Sequence, residues 1–109
     1  MDYEEVLLYN VEKQESEIIK HPIFRVYILM KGDEIIYVDC TSRLKDRINQ
    51  HKTNKDFDSY IIYSKEYDEH RALSTERILI DIIGNIIKPK NFMNRRIPKG
   101  FYTKEKIYT

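Results

Sequence analysis

Two runs rich in β-branched and aromatic residues, 24–30 (FRVYILM) and 34–39 (EIIYVD), flank the break Lys31-Gly32-Asp33. Such runs joined by a short glycine-containing connection read as a β-hairpin. A hairpin cannot bury its own apolar faces, so the rest of the chain has to supply cover. Thr41 or Ser42 is placed to cap a helix running to about residue 53, in which Leu44, Ile48 and His51 recur at i, i+4 and i+7. Arg47 stands one turn before His51, which makes the two side chains neighbours. Residues 57–64 (FDSYIIYS) read as a third strand. Asp68 is the N-cap candidate for a long helix, EHRALSTERILIDIIGNII, with Ala72, Glu76, Leu79 and Ile83 on one side. Gly84-Asn85 is expected to fray or end it, and Pro89 stops it. The stretch YEEVLLYNV fits strand or helix, and KQESEII fits a loop or short helix. From residue 24 the order is β-β-α-β-α, an α+β domain with a small three-stranded antiparallel sheet flanked by helices.

Composition narrows the class further. A chain of 109 residues is one small domain, and a single cysteine, Cys40, excludes an intrachain disulfide framework. No 18-residue apolar stretch and no basic-then-apolar leader is present, so the expectation is a cytoplasmic protein, not secreted and without a membrane partner. The formal charge of +1 conceals opposed segments: residues 1–20 carry six acids against two bases, and residues 88–109 carry seven bases against one acid. The division that follows is an acidic N-terminal extension (1–22), a core (23–94) and a basic tail (95–109). Lys88, Lys90, Arg95, Arg96 and Lys99 are candidate polyanion contacts, with Phe92, Phe101 and Tyr102 between them for stacking or packing.

Six polar residues form the candidate site: Tyr27, Tyr37, Arg47, His51, Glu76 and Asn91. Glu76 is the unusual one, because a carboxylate on an otherwise apolar helix face needs a cation or a shifted pKa. Taken together they suit phosphodiester hydrolysis. A carboxylate can hold a hydrated Mg²⁺ (or Mn²⁺) that bridges to phosphate. An arginine supplies fixed positive charge, and imidazole and phenol groups move protons or orient water. On this reading a nearby cation lowers the tyrosine pKa.

The arrangement VYIL…IIYVDCTSRLKDRINQH…ALSTERILI…PKN resembles the GIY-YIG nuclease domain over residues 25–94. The resemblance implies a metal-dependent DNA endonuclease core. Tyr27 matches the GIY tyrosine, a general base in that family, and Tyr37 the YIG tyrosine, which helps order water and phosphate. Arg47 and His51 match the Arg-x-x-x-His pair, Glu76 the metal ligand, and Asn91 the late asparagine that braces the site. A catalytically silent nucleic-acid-binding module is the runner-up. In a third reading the acidic N-terminus docks on a protein partner or covers the basic tail. So short a chain also implies that target choice lies in the basic tail, a homo-oligomer or a partner protein.

Arg25 and Asp39 stand where the family has its two signature glycines. With a three-residue loop Tyr27 opposes Tyr37 and Arg25 opposes Asp39, so these two are expected to form a compensating cross-strand ion pair. Alternatively Asp39 reaches the metal as a second carboxylate, or its charge repels phosphate. Cys40 reads as a small packing residue, and His21 and His70 as surface residues.

Overall fold

The computed structural model describes residues 1–94. Arg95, Arg96 and Lys99 of the basic tail lie outside the described residues. Seven regular elements follow in order: β1 (Tyr3–Asn10), β2 (Glu15–Pro22), β3 (Phe24–Lys31), β4 (Glu34–Thr41), α1 (Leu44–Lys52), β5 (Ser59–Glu66) and α2 (Glu69–Ile82). They build two antiparallel sheets, a β1-β2 hairpin and a three-stranded sheet of order β4-β3-β5. The α+β class and the β-β-α-β-α order from residue 24 match the sequence reading.

Strand β3 is central, and Val26, Tyr27, Ile28 and Leu29 are all buried, as a strand covered on both faces requires. The period of two divides these residues between two cores. Tyr27 and Leu29 pack with Ile36 and Ile48 beneath α1, whereas Val26, Ile28 and Val38 pack with Ala72, Leu79 and Ile83 beneath α2. Each fully buried aliphatic side chain contributes about 1.5–3 kcal/mol.

The β3-β4 register differs from the expected one. The turn has two residues, Gly32 at φ +60° and Asp33, because Lys31 already pairs with Glu34. Shortening the turn by one residue would turn every β4 side chain to the wrong face. The register then shifts between Leu29 and Met30, whose partners are Tyr37 and Ile35, leaving Ile36 as an extra residue that restores the faces. Tyr27 therefore opposes Asp39, Leu29 opposes Tyr37, and Arg25 opposes Thr41.

In the N-terminal extension the first stretch takes the strand alternative, Tyr3–Asn10, whereas the second is a strand, Glu15–Pro22, rather than a loop or short helix, and the two form the β1-β2 hairpin. Its root is tied to the larger sheet. Ile23 N–H donates to the Asp2 carbonyl at 3.0 Å, and the Asp2 carboxylate takes hydrogen bonds from Arg25 at 2.8 Å and from Leu44 N–H at 3.0 Å. Asp2, rather than Thr41 or Ser42, thus supplies the carboxylate at the start of α1, while Thr41 Oγ1 accepts from Arg43 N–H. Replacing Asp2 by Ala is expected to lower stability by about 1–2 kcal/mol through loss of the cap and the Arg25 partner, read from denaturant unfolding. Helix α2 begins as expected, with Asp68 accepting from His70 N–H at 2.9 Å. It does not stop at Gly84-Asn85. A π-helical turn, Ile83–Ile87, carries it on to Lys88, whose φ of +52° ends it before Pro89.

Candidate functional site

Strand β3, strand β4, helix α1 and helix α2 each deliver one or two polar side chains to the C-terminal half of β4. Asp39 is the centre. Its Oδ2 accepts from Tyr27 Oη at 3.1 Å and pairs with the Arg47 guanidinium, and it lies 3.8 Å from His51 Nε2. Tyr27 Oη also lies 2.6 Å from His51 Nε2, inside the core. The spacing of Arg47 and His51 on α1 makes this possible, because one helical turn separates two groups that approach the same carboxylate.

Glu76 comes from α2, which packs on the other face of the sheet, and hydrogen-bonds with Asp39. Burial, then a hydrogen bond and the charge of Asp39, raise its pKa to about 7, opposed by the Cys40 backbone N–H and Arg77. Glu76 therefore keeps its proton through the acidic range, and once ionised it is repelled by Asp39. Tyr27 moves opposite to expectation. Burial first, then the Asp39 charge and hydrogen bond, push its pKa far above the ordinary tyrosine value, and Arg47 offsets this only in part. Tyr27 holds its proton here because the residue facing it is an anion. Burial likewise raises Tyr37, helped by Asp39 and Glu76. His51 is held below the ordinary histidine value by burial and by Lys55, so the imidazole is neutral at pH 7. Tyr37 packs edge-on to His51, with ring centroids 5.2 Å apart, and carries Lys55 Nζ 4.6 Å above its ring.

Of the six residues singled out from sequence, Tyr27, Tyr37, Arg47, His51 and Glu76 come together. Asn91 does not. Its backbone N–H donates to Glu34 Oε1 at 2.8 Å, at the turn end of β4, five residues or about 17 Å from Asp39 along the strand. Asn94 instead lies beside the cluster, its side chain accepting from Val38 N–H at 2.7 Å and donating to Val38 C=O at 2.8 Å. The expected Arg25 and Asp39 ion pair is absent, since Arg25 binds Asp2 and Asp39 binds Arg47. The register places Arg25 one cross-strand pair further on.

Sequence reasoning noticed Asp39 but not its place at the centre, and no sequence signal marked Asn94. Cys40 is half-buried, with its thiol pushed up to about 12 by burial and then by Glu76 and Asp39, which suits packing rather than nucleophilic chemistry. His21 is half-buried against Tyr67 rather than on the open surface, whereas His70 is exposed. Lys88 and Lys90 are exposed. The hairpin acids Asp2 and Glu4 are already engaged, with Arg25 and with Lys65 and Tyr67.

A cleft of 410 Å³ opens beside the cluster, lined among others by Cys40, Thr41, Arg47, Gln50, Glu69 and Leu73. Among the described residues no set of three or more His, Cys, Asp and Glu side chains is placed to enclose a metal ion. The chemistry of the Asp39 and Glu76 pair nevertheless fits a hydrated divalent cation. Mg²⁺ takes one or two carboxylates and fills its other positions with water and phosphate oxygens, and a cation that displaces the Glu76 proton finds Asp39 beside it. No helix among the described residues is long and apolar enough to cross a membrane.

The fold and the cluster define a small α+β domain with a carboxylate pair, an arginine and a Tyr-His couple around one strand edge. Compared with known proteins, the chain matches no family model, no curated protein and no solved structure significantly.

Proposed function

We propose that this chain is a divalent-metal-dependent endonuclease that hydrolyses DNA phosphodiester bonds, as its GIY-YIG resemblance implies. The observation that carries the reading is the meeting of Tyr27, Arg47, His51 and Glu76, from three segments of the chain, around the Asp39 carboxylate. Asp39 and Glu76 are the residues that would hold Mg²⁺ or Mn²⁺, which when bound polarises a phosphoryl oxygen and stabilises developing negative charge.

The chain's own groups supply the rest. Arg47 exchanges its Asp39 partner for a phosphate oxygen, one anion for another, and presents a planar positive fork to the transition state. Water attacks phosphorus in line, so that a new P–O bond forms as the bridging P–O bond breaks. Tyr27 Oη, its hydroxyl turned from Asp39 Oδ2 to His51 Nε2 2.6 Å away, accepts the proton of that water as its own proton passes to neutral His51. This relay suits a tyrosine that is not deprotonated at rest. Tyr37 walls the same face, and Lys88, Lys90, Arg95, Arg96 and Lys99 track the DNA backbone, making affinity fall steeply with salt.

One observation favours a second reading, a silent nucleic-acid-binding module: Asp39 occupies Arg47 and holds Tyr27 protonated. Supercoiled plasmid separates the two. The nuclease nicks it with Mg²⁺ or Mn²⁺ and not with chelator, and Arg47→Ala slows nicking by about 10–100-fold, as loss of a charge-assisted contact predicts. Retention of plasmid in a gel without nicking selects the silent module.

A further inference from the structure

The two edges of the three-stranded sheet are treated differently. Along β4, Met93 N–H donates to the Ile36 carbonyl, Asn94 closes both backbone groups of Val38, and Cys40 N–H is taken by Asp39 Oδ1. Along β5, among the described residues, β3 is the sole backbone partner, and the side facing away from β3 has none. Tyr60, Ile61, Ile62 and Tyr63 are 44%, 50%, 41% and 55% exposed. Unpaired donors and acceptors beneath four apolar side chains form a template for another strand, and native edges are normally blunted by charge, proline or cover.

We infer that this edge is where a second copy of the chain pairs, β5 against β5, in an antiparallel arrangement about a two-fold axis. The register follows from the symmetry and from the usable length of the strand. A strand paired with itself about an axis perpendicular to the sheet must place one residue opposite its own copy, since any other register would set side chains on opposing faces. The usable stretch is bounded at its C-terminal end by the register shift at Tyr63 and by Glu4, which engages Lys65 and Tyr67. That leaves Ser59–Tyr63, whose centre is Ile61. Ile61 then faces the second copy's Ile61, and Tyr60 faces the second copy's Ile62. Centring on Ile62 would instead pair Ser59 with Lys65, beyond the register shift at Tyr63.

The area is consistent with a weak dimer. At about 200 Å² per side chain, the four residues expose about 400 Å² per copy. Doubled, and with the backbone strip added, this is at most near the lower bound of about 1,000–1,200 Å² for specific interfaces, because edge pairing covers only the flanks of side chains that alternate between the two faces. The axis leaves both Asp39 clusters on one face of a joined six-stranded sheet, a consequence that holds whether or not the chain cuts DNA.

Sedimentation equilibrium of the full chain over the micromolar range tests the inference, with unfolding transitions as the check on fold. The parent is expected to dimerise reversibly. Ile61→Lys, which opposes two lysines at the axis, is expected to weaken the dimer at least about tenfold, whereas Ile78→Lys on the exposed face of α2 leaves it unchanged. Mild oxidation of Ile61→Cys is expected to give a disulfide-linked dimer, because opposed β residues lie within disulfide reach, and Ile78→Cys is expected not to. A parent that stays monomeric throughout, a dimer indifferent to Ile61→Lys, or an Ile61→Cys chain that fails to link would each overturn it.

Discussion

Glu76→Gln is expected to make the protein more stable in mild alkali and to abolish its metal-dependent cleavage. The stability sign follows from linkage. The Glu76 carboxyl is pushed up to about 7 in the folded chain from an ordinary value of 4.5. Between these values the native state holds a proton that the unfolded state has lost, so stability declines as pH rises through this window. Above about pH 7 the ionised Glu76 beside Asp39 costs about 2–3 kcal/mol. Glutamine imitates the protonated form and keeps a donor for Asp39, so it removes that cost in alkali and changes little below pH 4.5. Denaturant unfolding at the two ends of the window reads the difference. Nicking, by contrast, is expected to fall about a thousandfold or more, because the amide is a poor ligand and charge stabilisation worth several kcal/mol goes with it. Equal stability of parent and variant at both ends would mean that Glu76 does not keep its proton above its ordinary range.

Tyr27→Phe is expected to produce the second largest loss. The hydroxyl lies between His51 Nε2 and Asp39 Oδ2, and tyrosine at this position is fully buried. Its removal strands a buried imidazole nitrogen, at a cost of about 1–3 kcal/mol. Loss of a positioned proton relay is expected to slow cleavage by about 10²–10⁴-fold. DNA affinity should change little, because Arg47 and the exposed lysines are untouched. Gel-shift and nicking assays on one preparation separate the two effects, and a variant that nicks at the parent rate would remove Tyr27 from the chemistry.

The elements that were legible in sequence were those governed by local rules. The β3-β4 hairpin declared itself by composition and a glycine turn, α1 by its periodicity, and α2 by the Asp68 cap. The faces of β3 and β4 were also legible, although the register was not. A turn one residue shorter and an extra residue at Ile36 moved the pairing by two positions, which keeps the faces and changes every partner. That is why Tyr27 and Tyr37 share a face as expected, whereas Asp39 meets Tyr27 and Arg47 instead of Arg25. Local chemistry did not reveal the β1-β2 hairpin, whose acidic residues interrupt its apolar alternation and whose root depends on distant partners. Nor could it distinguish Asn94 from Asn91, because the choice depends on where a helix ends and which strand edge the chain then meets. The raised pKa of Tyr27 had the same origin. A cation near a tyrosine was expected to lower it, and the tertiary position of one carboxylate reversed the sign.

The most direct measurement is the conversion of supercoiled to relaxed plasmid by the purified chain with Mg²⁺, with chelator, and by Glu76→Gln with Mg²⁺. Relaxation in the first reaction alone is the expected result. Intact plasmid in all three, or equal relaxation by parent and variant, would contradict a metal-dependent nuclease site at Asp39 and Glu76.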